Sequence, residues 1–137
     1  YFRLELVRKP QEGLVYKPAP LGDSASVGEL IRCRITITSP KDFRYLIVED
    51  MLPSGCEVVQ RKRPDYWDSW DYWWSGEAVH DNRMSFFLWE VYEGKRVIEY
   101  DFRPELRGSF HVMPAAARGH FEPDIYAHCS ERRLIVR

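Results

Sequence analysis

Residues 31–38 read IRCRITIT, with an apolar side chain at every second position. Successive side chains of a β-strand point to opposite faces, so this alternation is typical of a strand that buries one face and leaves the other in water. Cys33 falls on the apolar face with its isoleucine neighbours, and we expect it to be a small buried side chain. The stretch therefore predicts a β-sheet protein.

The same period of two recurs near both ends of the chain. Residues 2–6 and 98–103 alternate in this way, and their inward-facing side chains are expected to be Phe2, Leu4, Leu6, Ile98, Tyr100 and Phe102. Other short segments have strand composition and turn residues at their ends. They are 14–17, 43–49, 57–60, 83–89, 108–112 and 132–136, whereas 18–26, PAPLGDSAS, is predicted to be a loop.

About seven to nine short strands joined by polar turns predict an all-β fold, with the antiparallel β-sandwich as its natural packing. The chain has 137 residues, which is the usual size of one domain. We therefore expect residues 1–137 to form a single sandwich, cut from a longer protein.

One segment does not alternate. Residues 63–74 read RPDYWDSWDYWW and contain four of the chain's five tryptophans. Tyr66, Trp70 and Trp73 recur at intervals of three and four, which is the spacing of one face of a helix. The segment therefore predicts a short helix at 64–75 that lies on the sandwich.

This aromatic segment has two functional interpretations. Flat exposed rings beside carboxylates suit a sugar, and the Trp67–Trp74 region would then be the platform of a secreted carbohydrate-binding module. Rings at helical spacing more often lie in a core or an interface, where each removes a large apolar area from water. The predicted docking residues, called the aromatic cluster below, are Tyr66, Trp67, Trp70, Trp73, Trp74 and Trp89.

Trp89 belongs to a predicted strand that is apolar on both faces. Met84, Phe86 and Leu88 have one parity, and Phe87 and Trp89 have the other. Such a strand needs a cover on each face. The aromatic helix or a neighbouring domain would supply the second cover.

Composition argues against several classes of function. The net charge is −1 and basic residues stand beside acidic ones, so the chain lacks the basic face of a nucleic-acid-binding protein. No window approaches the roughly 18 apolar residues of a membrane span. No catalytic motif is visible, and the histidines and cysteines lack metal-ligand spacing, so we expect neither an enzyme nor a cofactor. The three cysteines allow at most one disulfide.

Residues 45–57, YLIVEDMLPSGCE, resemble the YVVVEDPLPAGFE type of segment in the C-terminal macroglobulin domain of bacterial α2-macroglobulin-like proteins. Other pieces follow in that family's order. They are APLGD at 19–23, VGE at 27–29, HDNR at 80–83, MPAAAR at 113–118, FEP at 121–123 and SERRLIV at 130–136. The resemblance covers nearly the whole chain.

This resemblance implies a non-catalytic β-sandwich, the last domain of a long bacterial protein that traps proteases. In the family a separate domain carries a reactive thioester, and the C-terminal domain shields that bond from water. The implied partners are the thioester domain and neighbouring macroglobulin domains of the same chain, while target proteases are met only through the parent protein. The family also implies a periplasmic or extracellular location, often with a lipid-anchored parent, and no membrane contact by this domain.

The family's Met-Tyr pair approaches the thioester, and His120 and Phe121 occupy the matching positions here. Phe121 retains the bulk of a tyrosine but lacks its hydroxyl. The resemblance therefore predicts that His120, Phe121 and Tyr126 face the thioester domain. The alternative for His120 and Phe121 is an exposed loop that only closes the sandwich. Cys56 and Gln60 are four residues apart rather than the three of the family's thioester motif, so we expect no thioester in this domain.

Overall fold

The structure, a computed structural model, describes residues 1–59 and 76–137. The helix predicted at 64–75 lies outside these residues, as does every member of the aromatic cluster except Trp89. Within the described ranges the chain forms thirteen strands and no helix. The all-β prediction is therefore confirmed for this part of the chain.

The first seven strands are β1 (Phe2–Lys9), β2 (Gly13–Pro20), β3 (Ser24–Ala25), β4 (Ile31–Ser39), β5 (Phe43–Met51), β6 (Cys56–Val59) and β7 (Gly76–Val79). The other six are β8 (Arg83–Val91), β9 (Gly94–Pro104), β10 (Gly108–Val112), β11 (Ala116–Gly119), β12 (Tyr126–His128) and β13 (Arg132–Val136).

The strands form three sheets. The first sheet has the order β2-β1-β4-β9-β6, the second has the order β12-β11-β5-β8-β7, and the third is the short sheet β10-β13-β3. Neighbouring strands are antiparallel except for β3 and β13, which run parallel. The first two sheets contribute most of the core and pack face to face as a sandwich.

One hydrophobic core draws side chains from all three sheets. Phe86 of β8 and Tyr100 of β9 meet across the two large sheets, with ring centroids 6.1 Å apart. The largest side chains that are almost wholly buried include Phe86, Phe102, Ile31, Met84, Leu88 and Leu134. Each apolar side chain buried in this way stabilises the fold by about 1.5–3 kcal/mol.

The structure contains more strands than the seven to nine that the pattern predicts. The additional strands are β3, β7, β11 and β12, each two to four residues long. Segments this short carry no measurable alternation, so their pairing depends on neighbours brought close by the fold. The prediction of a loop at 18–26 was wrong in part, because this segment contains the end of β2 and all of β3.

The hairpin of β1 and β2 also departs from the prediction. The two strands pair along their whole length, but β1 pairs with β4 only at Phe2 and Arg3. Leu4 is buried as expected, whereas Leu6 on the same face is 55% exposed. The prediction for Leu6 was wrong because the hairpin extends past the point where β4 supports it.

Candidate partner-facing surface

Four side chains form a row across the outside of the second sheet. Register pairs set Tyr126 opposite Arg118, Arg118 opposite Ile47, and Ile47 opposite Phe87. Residues directly opposite each other in antiparallel strands share a face of the sheet. This face, called the outer face below, is the one turned away from the core.

A stack of aromatic rings lies beside that row. The ring of Tyr45 contacts the ring of Trp89 at 5.0 Å and that of Phe121 at 5.2 Å between centroids, both edge to face. The ring of His120 lies 4.5 Å from that of Phe121, and the backbone N–H of His120 donates a hydrogen bond to the Tyr45 carbonyl at 2.7 Å. Phe121 is 70% exposed and Trp89 is 56% exposed. Tyr45 thus joins the loop after β11 to strand β8.

Tyr45 has a left-handed backbone conformation, with φ of 58°, and is the one non-glycine residue with positive φ in the described part of the chain. Bulky side chains rarely adopt this conformation. Its effect is visible in the burial of the strands. Leu46 and Leu88 face the core, but so do Phe43 and Val91, which a regular pleat would turn outward. The irregularity at Tyr45 lets Phe43 and Val91 fill one end of the core.

Paired charges border the rings on the outer face. At one side the carboxylate of Glu49 lies 3.4 Å from the guanidinium of Arg83 and 3.5 Å from that of Arg118. At the other side Arg44 donates two hydrogen bonds to Glu90, at 3.0 and 3.2 Å. An apolar centre with a polar border is the usual anatomy of a protein–protein interface.

A buried carboxylate lies on the opposite side of the same sheet. Asp50 accepts a hydrogen bond from the Tyr100 hydroxyl at 2.7 Å and another from the Cys33 thiol at 3.1 Å. Burial raises the pKa of Asp50, and these two donors offset part of the rise. Burial is also the main cause that raises the pKa of Cys33 and of Tyr100, so both remain protonated donors. The cluster links the two large sheets and confirms the predicted burial of Cys33.

A pocket of about 150 Å³ opens beside this cluster, lined by Cys33 and Asp50 and also by Cys129 and Arg132. Among residues 1–59 and 76–137, no group of three His, Cys, Asp or Glu side chains is arranged to hold a metal ion. Among the same residues, no helix has the length and apolar character needed to cross a membrane.

The sequence model of the bacterial Alpha-2-macroglobulin MG10 domain matches residues 5–124. The chain belongs to the bacterial MG10 domain family. A curated relative of this MG10 domain is the Alpha-2-macroglobulin of Thermotoga maritima, which is 28% identical over 120 residues. The match covers 80% of the chain and 8% of the relative, so the chain spans only a small part of that protein.

Solved macroglobulin structures share the fold of this MG10 domain. Salmonella alpha-2-macroglobulin reacted with methylamine superposes with a TM-score of 0.71 at 19% identity, covering 92% of this chain and 8% of the solved chain. Escherichia coli alpha-2-macroglobulin activated by porcine elastase gives a TM-score of 0.72 at 20% identity, covering 89% and 12%. The predicted sandwich of the macroglobulin type is therefore confirmed.

The MG10 fold brings together residues that the sequence had assigned to separate groups. Trp89, from the aromatic cluster, lies on the outer face with His120, Phe121 and Tyr126, the residues predicted to face the thioester domain. Their roles remain predictions. The sequence reasoning missed Tyr45 as a member of the site, because no local pattern indicates its conformation.

The described cysteines of the MG10 domain are all free. Cys56 is buried in β6, and burial raises its pKa to about 11, so the thiol is almost wholly protonated at neutral pH. Gln60, the other residue of the spacing that differs from the thioester motif, lies outside the described residues. Cys129 is exposed.

Proposed function

We propose that residues 1–137 are one non-catalytic domain of a longer, protease-trapping alpha-2-macroglobulin-like protein. Membership of the MG10 family and the 8% share of the Thermotoga relative support this proposal. In the parent protein the domain packs against the thioester-bearing domain, and the loop that carries His120 and Phe121 excludes water from the thioester. A periplasmic or extracellular location follows from the same relationship.

The observation that carries the proposal is the way in which the loop presents Phe121. The ring is largely exposed, yet His120 and Tyr45 pack against it. Behind the ring, the Gly119 N–H donates a hydrogen bond to the Ile125 carbonyl at 2.9 Å and closes the loop. An exposed ring that is already ordered loses little entropy when it docks, which suits an anchor for a partner.

Phe121 would protect a thioester by bulk alone, since it has no hydroxyl. Its apolar surface replaces the water that would otherwise reach the bond. Because an aromatic side chain removes a large apolar area from water when it is buried, the ring contributes to the stability of the contact that it makes. The neighbouring His120 supports the ring from the side.

Sugar binding is less well supported for the described residues. A sugar platform needs open ring faces and free carboxylates. Trp89 instead packs against Tyr45, and the carboxylate of Glu90 is hydrogen-bonded to Arg44. The Trp67–Trp74 region lies outside the described residues, so this argument concerns Trp89 alone.

The test is methylamine uptake by the intact parent protein, measured as the mass gained per hour before any protease is added. Phe121→Ala removes the shielding ring, and uptake should become about ten- to thirtyfold faster, the effect of losing one interface anchor. Leu14→Ala is the matched control, because Leu14 is similarly exposed but lies on the first sheet. It should leave the wild-type rate unchanged.

Two results would contradict the proposal. Equal uptake rates for wild type and Phe121→Ala would remove the shielding role of the loop. No methylamine adduct in any form of the parent, including denatured protein, would show that there is no thioester to shield.

A further inference from the structure

We propose that Trp89 and Phe121 dock on the same partner, the thioester-bearing domain of the parent chain, and that Tyr45 is the positioning residue that holds both rings in this interface. The inference rests on the proposed function and extends it. The contact is then a sheet face together with a loop, rather than the loop alone.

The first argument is continuity. Trp89 and Phe121 both touch the ring of Tyr45, at 5.0 and 5.2 Å between centroids. A protein interface of standard size covers about 800 Å² on each partner. A domain surface that covers Phe121 therefore also reaches Trp89, because only one ring separates them.

The second argument is the strained backbone of Tyr45. A left-handed conformation at a bulky residue costs about 1–3 kcal/mol and persists only where the surroundings enforce it. Residues with such strain cluster at functional sites. Here the strained residue is the one that contacts both exposed rings, and its carbonyl accepts the hydrogen bond from His120 that ties the loop to β5.

The third argument is the chemistry of the border. The guanidinium groups of Arg44 and Arg118 already have carboxylate partners within the domain. The partner therefore needs an apolar recess that accepts the rings. Around that recess it needs no charged groups, because these two arginines are already paired with carboxylates. An apolar centre with a border of paired charges fits the contact between two domains of one chain, since such contacts are more polar than those of obligate complexes.

The size of the missing protein argues for the same occupant. The chain spans 8% of the Thermotoga relative and 20% of a solved Escherichia coli fragment that runs from domain MG7 to the C-terminus. Polypeptide of domain size is thus available within the parent to cover the outer face. Its attachment to the same chain gives it a high effective concentration.

The test uses the full parent protein with a photo-crosslinking benzoylphenylalanine at position 89, 121 or 14, one position at a time. Mass spectrometry of the irradiated protein identifies the domain that each position reaches. Positions 89 and 121 should both crosslink to the thioester-bearing domain. Position 14, on the first sheet, should not.

The outcomes separate the two proposals. Crosslinks from 121 to the thioester domain but from 89 to another domain, or to none, would overturn the inference and leave the proposed function intact. Crosslinks from 121 to a different domain, or to none, would overturn the proposed function and the partner assigned here.

The role of Tyr45 has its own variants in the same experiment. Tyr45→Gly relieves the backbone strain but removes the ring, so crosslinking from both positions should fall about tenfold, the effect of one lost anchor contact. Tyr45→Phe keeps the ring and should retain the wild-type yield. Unchanged yields with Tyr45→Gly would show that Tyr45 does not position the rings, and lost yields with Tyr45→Phe would show the same.

Discussion

At the scale of single residues, Asp50 is an ionisable group in the buried part of the molecule. It is buried between the two large sheets and accepts hydrogen bonds from Tyr100 and Cys33. These donors compensate for only part of the water that the carboxylate has lost, so its pKa in the folded chain lies above the ordinary value. The stability of the fold therefore depends on the protonation of this group.

We expect Asp50→Asn to remove a decrease in the free energy of unfolding that wild type shows as pH rises. Because the pKa of Asp50 is raised in the folded state, that state binds the proton more tightly than the unfolded chain does. The resulting stabilisation is complete below about pH 4, the ordinary pKa of aspartate, and is lost as pH rises through the folded pKa. In urea unfolding at increasing pH, the free energy of unfolding of wild type should fall relative to that of the variant.

A matched control is Glu57→Gln, which removes an exposed carboxylate from β6. Its profile of unfolding free energy against pH should run parallel to that of wild type. If the Asp50→Asn profile is parallel as well, the carboxylate at position 50 is not linked to folding in the way described.

At the scale of elements, the turn between β5 and β6 is fixed to the loop between β9 and β10. The Gly55 carbonyl accepts hydrogen bonds from the backbone N–H groups of Glu105, at 2.7 Å, and Leu106, at 3.2 Å. Gly55 has φ of 72°, and a Cβ added there would lie 2.9 Å from the Cβ of Leu106. The turn therefore needs glycine for its backbone conformation and also for the space that it leaves.

Comparing Gly13→Ala with Gly55→Ala separates the cost of the backbone conformation from the cost of the close contact with Leu106. Both glycines have positive φ, but a Cβ at Gly13 would meet nothing within 4 Å. Gly13→Ala should cost about 1 kcal/mol for the backbone conformation alone. Gly55→Ala should cost about 1–3 kcal/mol more, since the contacted Cβ is fixed to the backbone and cannot rotate away. Urea unfolding of the two variants measures the difference, and equal losses would contradict the close packing at Leu106.

At the scale of the whole molecule, one core protects two of the three cysteines. Cys33 and Cys56 belong to the buried cluster that joins all the sheets, whereas Cys129 lies at the surface. The Cys33 and Cys56 side chains are almost wholly buried, so a reagent larger than the pocket beside Cys33 reaches either thiol only when the surrounding structure opens. Thiol reactivity is therefore a probe of the stability of the fold as a whole.

With a thiol-reactive chromophore, the native chain should show one rapidly labelled cysteine, Cys129, and two slow ones. The slow pair should react at least about a thousandfold more slowly, because a typical fold opens with an unfavourable free energy of 5 kcal/mol or more. Denaturant should make all three react at similar rates. Rapid labelling of three thiols in the native chain would contradict the burial of Cys33 and Cys56, and Cys129→Ser should abolish the rapid phase.

The long strands and the all-β class were determined by the sequence alone. Burial on one face of a strand imposes a period of two on neighbouring residues, and this local pattern at 31–38 and 98–103 is legible without any partner. The order of the resembling segments likewise indicates the family without knowledge of the fold. Both kinds of signal are read along the chain and need no contact between distant segments.

Only the tertiary structure decided the composition of the outer face. Trp89 and Phe121 are far apart in the sequence, and they meet through Tyr45 because β8 and β11 both pair with β5. The exposure of Leu6 and the left-handed conformation of Tyr45 depend equally on where neighbouring strands end. These features arise from contacts between distant segments, which a periodic pattern along one segment does not encode.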